Sequence, residues 1–138
     1  MRLLLITWLL LSTGAQADSV VPTRTIRAHA LIAEGDVTLR VGAPSAGFSR
    51  LSDVIGQEAR VVLYPGRPIG SNAIGPPSIV SRNQIVRLTF NSNGLVITTE
   101  GRALERGAVG DRVRIMNLSS RATLFGKVLE DGGIQVSP

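Results

Sequence analysis

The chain has 138 residues, carries a formal charge of +5 and is 43% hydrophobic, enough for one compact domain or two very small ones. Cysteine is absent and His29 is the single histidine, which excludes a disulfide framework, thiolate metal sites, a Cys nucleophile and a multi-His metal centre. Aromatics at 4% are too few for base-stacking platforms, while 15 Gly and 7 Pro favour turns over long helices.

In chain order, Met1-Arg2 is a short positive start, Leu3 to Leu11 is an apolar run, and Ala15-Gln16-Ala17 is a small-x-small cleavage site. That is the three-part pattern of a secretory leader at 1–17, cleaved after Ala17. A nine-residue helix is about 14 Å long, far short of the ~30 Å hydrocarbon core, so the run is not read as a membrane span. No later run approaches that length, so no stable membrane insertion is expected. Export also argues against a nucleic-acid partner.

Val20-Val21 and Thr25-Ile26 read as short strand pieces, with Pro22 keeping the first off a central strand. Ala28 to Ala33 has the look of one helical turn. Glu34-Gly35-Asp36 is a turn, Val37 to Val41 an alternating strand, and 42–47 a loop. Ser49 to Ile55 is the best helix candidate, with Ser49 as N-cap and Gly56 as stop. Residues 59–64 read as a strand, and Gly75-Pro76-Pro77 introduces a boundary near residue 80.

The remainder reads as β. Gln84–Phe90 and Leu95–Thr99 flank Asn91-Ser92-Asn93-Gly94, a hairpin signal because Asn-Gly tolerates positive φ at both central positions. Arg102–Gly107 is a link. Arg112–Leu118 alternates, with Val113 and Ile115 on one face and Arg112 and Arg114 on the other. Ala122–Leu129 returns, with Gly126 marking a bulge or barrel bend. Asp131-Gly132-Gly133 turns into a last strand, Ile134–Val136. Turns every 8 to 12 residues argue for a small antiparallel barrel or sandwich.

Catalytic patterns are weak. His29 has Thr25, Glu34 and Asp36 nearby in sequence, but no nucleophile elbow accompanies them. Glu34/Asp36 and Glu130/Asp131 read as solvated turn residues, and the glycine-rich stretches match no phosphate loop. No catalytic residue, metal site or cofactor is expected. The arginines are the remaining candidates. Arg112 and Arg114 project from one face, with Arg87 on the preceding hairpin and Arg121 in the next turn. Such a row can hold carboxylates of a partner protein, or it can be the wet face of a half-buried sheet.

The stretch from Gly101 to Ser120 (GRALERGAVGDRVRIMNLSS), followed by Gly126-Lys127-Val128, resembles the C-terminal signature of the flagellar basal-body P-ring assembly chaperone family. Asp53-Val54-Ile55-Gly56 and Pro65-Gly66-Arg67-Pro68-Ile69 are similar to the SAF-type β-clip segment of the same proteins. The resemblance runs from about Thr25 to Val136. It implies a periplasmic, cofactor-free, non-enzymatic protein that binds the flagellar P-ring subunit and assists its assembly around the rod. Many members carry a further N-terminal domain, and the length after Ala17 leaves no room for it. The expected architecture is all-β: an SAF-like β-clip with one short helix at 18–80, then a small antiparallel β-barrel at 81–138. Partner binding is assigned to Arg87, Arg112, Arg114 and Arg121. The alternative is an SAF binding module of a pilus or secretion apparatus, or a cell-wall glycan binder.

Overall fold

The computed structural model describes residues 17–43 and 47–137. The leader expected at 1–17 and its cleavage therefore lie outside the described residues, apart from Ala17 itself. Among the described residues no helix is long and apolar enough to cross a membrane.

The strands are β1 (Ala17–Pro22), β2 (Val37–Ala43), β3 (Glu58–Ala59), β4 (Ile74–Gly75), β5 (Ile85–Ser92), β6 (Leu95–Ala103), β7 (Arg112–Asn117), β8 (Thr123–Val128) and β9 (Ile134–Val136). β1 pairs with β2 and β3 with β4, both antiparallel, and β5 to β9 close into a barrel. Two buried apolar clusters underlie this division. One gathers Val20, Ile26, Ile32, Val54, Leu63 and Ile69. The other fills the barrel with Val86, Leu88, Val113, Ile115, Val128 and Ile134.

Before the barrel, local signals are partly overridden. The helix expected over Ser49–Ile55 is only a 3-10 turn at Leu51–Asp53, preceded by Arg50 rather than capped by Ser49. Seven residues cannot repay helix nucleation unaided, and here Val54 is drawn into the core with Leu51 and Ile55 against it. Ala28–Ala33 is not helical either. It forms a turn and a bridge from Leu31 to Glu58, and a 3-10 turn follows at Glu34–Asp36. The strand expected over 59–64 survives only as β3, because its backbone serves three partners. Ala59 N–H donates to Ala30, Arg60 N–H to Ala73, and Leu63 exchanges bonds with Ile26.

The barrel follows the sequence pattern more closely. Asn93 and Gly94 have φ of 48° and 83°, the pair of left-handed residues that a two-residue hairpin turn demands. Val113 and Ile115 are buried while Arg112 and Arg114 are exposed. β6 runs on through Arg102 and Ala103, residues expected in a link. The closure differs from the antiparallel barrel expected: β9 pairs antiparallel with β8 but parallel with β5. With five strands joined by successive reversals, the first and last necessarily run the same way. Gly126 marks no bulge, since Val113 faces it on β7 and Val136 on β9 in unbroken register.

Candidate functional site

The outward faces of β5 and β7 and the β7–β8 turn carry the predicted arginines, and tertiary contacts sort them. Arg114 Nε donates to Glu105 Oε1 at 2.6 Å, and its backbone N–H donates to Glu105 Oε2 at 3.2 Å. Those contacts, the side-chain one first, hold the Glu105 carboxyl below its ordinary range. Arg87 Nη2 donates to Asp131 Oδ2 at 2.6 Å, while Gly133 N–H donates to Asp131 Oδ1 at 2.9 Å. The Gly133 bond, then the arginine, outweigh burial and keep the Asp131 carboxyl low. Arg112 has no carboxylate partner among the described residues. Its guanidinium lies 5.0 Å from the centroid of the Phe125 ring. Arg121 occupies the β7–β8 turn at φ 61° and is exposed.

Arg112 and Arg114 thus share a face, as alternation requires. Arg87 does not join them, because β6 lies between β5 and β7. The neighbour that does is Lys127, directly opposite Arg112 in the β7–β8 register. Sequence reasoning missed Lys127 because a cross-strand partner depends on register, which the chain's own alternation does not reveal.

At one end of the barrel, β6 outruns its neighbour. Only Gly101–Ala103 pair with β7, whereas all of Leu95–Arg102 pair with β5. Leu104 N–H donates to Arg114 and Glu100 C=O accepts from Leu118, so the even-numbered backbone groups of β6 face β7. The N–H and C=O groups of Val96 and Thr98 therefore point away from β5 and meet no strand on that side among the described residues. Leu95, Val96 and Ile97 are 60%, 59% and 49% exposed. Beside this edge lies an apolar cleft of about 390 Å³ lined by Leu88, Phe90, Ile97, Leu124 and Val136.

A third cluster sits where residues of the first apolar cluster meet the barrel. Glu58 on β3 is buried and accepts from Ser78 N–H at 2.8 Å, Ser78 Oγ at 3.1 Å and Arg106 Nη2 at 3.2 Å. Burial disfavours the Glu58 carboxylate, but these donors, led by the Ser78 N–H, outweigh it and lower its pKa. His29 Nδ1 lies 3.4 Å from Glu58 Oε1, with its side chain 55% exposed. The imidazole therefore faces Glu58 rather than Glu34 or Asp36. Asp36 is occupied by Arg24 at 2.7 Å and by Ala33 N–H at 3.2 Å, which keep its carboxyl low. Glu58 was invisible in the sequence, where nothing links it to an arginine 48 residues away.

These carboxyls set the acid response. Asp36, Glu58, Glu105 and Asp131 all titrate below their ordinary values, so the folded state binds fewer protons than the unfolded chain. Their stabilisation is complete above about pH 5 and is lost as pH falls through their lowered values. The urea midpoint should accordingly decline between pH 6 and pH 3, and a midpoint independent of pH there would contradict these ion pairs.

A family model described as a chaperone for flagella basal body P-ring formation matches residues 17–136. A flagellar protein FlgA of Agrobacterium fabrum is 36% identical over 127 residues, covering 88% of this chain and 78% of the relative. A flagellar protein FlgA of Rhizobium meliloti is 37% identical over 91 residues, covering 65% of this chain and 54% of that protein. Salmonella FlgA in an open form has the same fold, with a TM-score of 0.73 at 24% identity, over 89% of this chain and 62% of that one. The chain thus spans between about half and about three quarters of these relatives.

Proposed function

Because the chain belongs to the family of chaperones for flagella basal body P-ring formation, we propose that it assists P-ring assembly by binding the ring subunit in the periplasm. The observation that carries this reading is the open edge of β6 beside the apolar cleft. The open stretch Leu95–Thr99, with Leu95, Val96 and Ile97 exposed and no charge, proline or bulge within it, is an aggregation hazard unless another chain uses it. Strand addition or face packing against an unassembled ring subunit covers both the edge and the cleft at once. The work asked of this protein is recognition, and no bond-making step is assigned to it.

We read the chain as two units, an SAF-type β-clip at about 18–80 and the barrel at 81–138. The two separate apolar clusters support that reading, as does the sequence resemblance of the first unit. The leader pattern at 1–17 supports export. The relatives' names favour the flagellar basal body over a pilus apparatus or a cell-wall glycan.

Deletion of the gene followed by electron microscopy of basal bodies tests the function. The expected result is rods without P-rings, restored when the wild-type chain is supplied in trans. Complete P-rings in the deletion strain would overturn it.

A further inference from the structure

The geometry points to Arg112 and Lys127, with Phe125 beneath Arg112, as the docking site for a carboxylate-bearing segment of the partner polypeptide. This rests on the proposal that the partner is the ring subunit. Arg112 and Lys127 are register partners on β7 and β8. Like charges so placed repel each other, and among the described residues neither forms an ion pair that would offset this.

The contrast with their neighbours is what makes the pair distinctive. Arg87 and Arg114 both lie on the outer surface of the same barrel, and each already holds a carboxylate of this chain at 2.6 Å. The open pair instead borders a cleft of about 360 Å³ with Gln135 and Ser137 beside it. That volume accommodates a carboxylate side chain, and Gln135 and Ser137 add hydrogen-bonding groups. The Arg112 guanidinium rests on the Phe125 ring, which leaves its edge free for bidentate contact with a carboxylate and reduces the entropy lost on binding. Charge complementarity thus specifies the occupant: an acidic stretch of chain lying across β7 and β8.

Affinity of the full-length chain for purified ring subunit, measured at 50 and 300 mM NaCl, tests this. Arg112→Glu and Lys127→Glu should each weaken binding about tenfold at low salt and flatten the salt dependence. Arg82→Glu changes the net charge equally, at an exposed position before β5, and should change affinity less than threefold. Lys127→Glu carries a second signature. It places a carboxylate opposite Arg112, so the urea midpoint should rise while binding falls, an opposition that general damage to the fold does not produce.

Titration with a short oligoglutamate peptide separates the site from the partner. Peptide bound by the wild type and lost in Arg112→Glu supports the site even if the ring subunit fails to bind, an outcome that would sink the partner assignment instead. No binding of either probe overturns the proposal, as does an equal loss in Arg82→Glu. Phosphatidylglycerol vesicles form the last arm. Vesicle binding lost in Arg112→Glu while subunit and peptide binding persist would move the site to a membrane and overturn it as well.

Discussion

Gly126→Ala should lower the unfolding free energy by about 3 kcal/mol, a large share of the 5–15 kcal/mol typical of a domain. The residue is buried on β8, between β7 and β9. A Cβ there would collide with Cγ2 of Ile134 and stand 2.9 Å from the backbone oxygen of Gln135. Neither neighbour can yield. Ile134 is wholly buried in the barrel core, and the Gln135 backbone is pinned by ladders to β5 and β8. Relief therefore requires β8 and β9 to separate, which opens the barrel at that antiparallel seam. Gly35→Ala is the control, because a methyl there meets no atom within 4 Å, and its effect should stay within about 0.5 kcal/mol. Urea denaturation of both variants measures the difference. A midpoint for Gly126→Ala within error of the wild type would refute the tight packing of β8 on β9.

The second large effect is expected at Glu58. Glu58→Ala leaves the Ser78 N–H and hydroxyl without their acceptor and removes the carboxylate that Arg106 meets. Losing a half-buried, charge-assisted network of this kind costs about 2–3 kcal/mol. The loss also falls at a particular place, since Glu58 belongs to β3 whereas Ser78 and Arg106 flank the bridge between Val80 and Gly107. Unfolding of the variant should become less cooperative, with tryptic cleavage before residue 80 preceding that in the barrel. Glu58→Gln keeps one acceptor oxygen for Ser78 but turns an amide toward Arg106, so it should fall between the wild type and Glu58→Ala. Equal stability of all three would show that the network contributes nothing.

Legibility varied along the chain for identifiable reasons. The β5–β6 hairpin could be read directly, because Asn93-Gly94 encodes its own backbone conformation and alternation on both sides fixes the buried face. Arg112 and Arg114 were placed outward correctly for the same reason. Between residues 26 and 75 the reading was poorer. There, short segments such as Arg60–Leu63 divide their hydrogen bonds among several partners distant in sequence, and no local period survives. The candidate site was half legible: the arginines were visible as a set, but not which of them were already neutralised.

Turn chemistry and side-chain alternation are properties of a few adjacent residues, so the amino-acid sequence alone determined the barrel's hairpins, its buried valines and isoleucines, and the family resemblance. Pairings between distant residues obey no such local rule. The parallel seam of β5 with β9, Lys127 opposite Arg112, and Arg106 reaching Glu58 arise only once the barrel closes and sets each strand's register. Closure is a condition on the whole set of strands, and only the tertiary structure decides it.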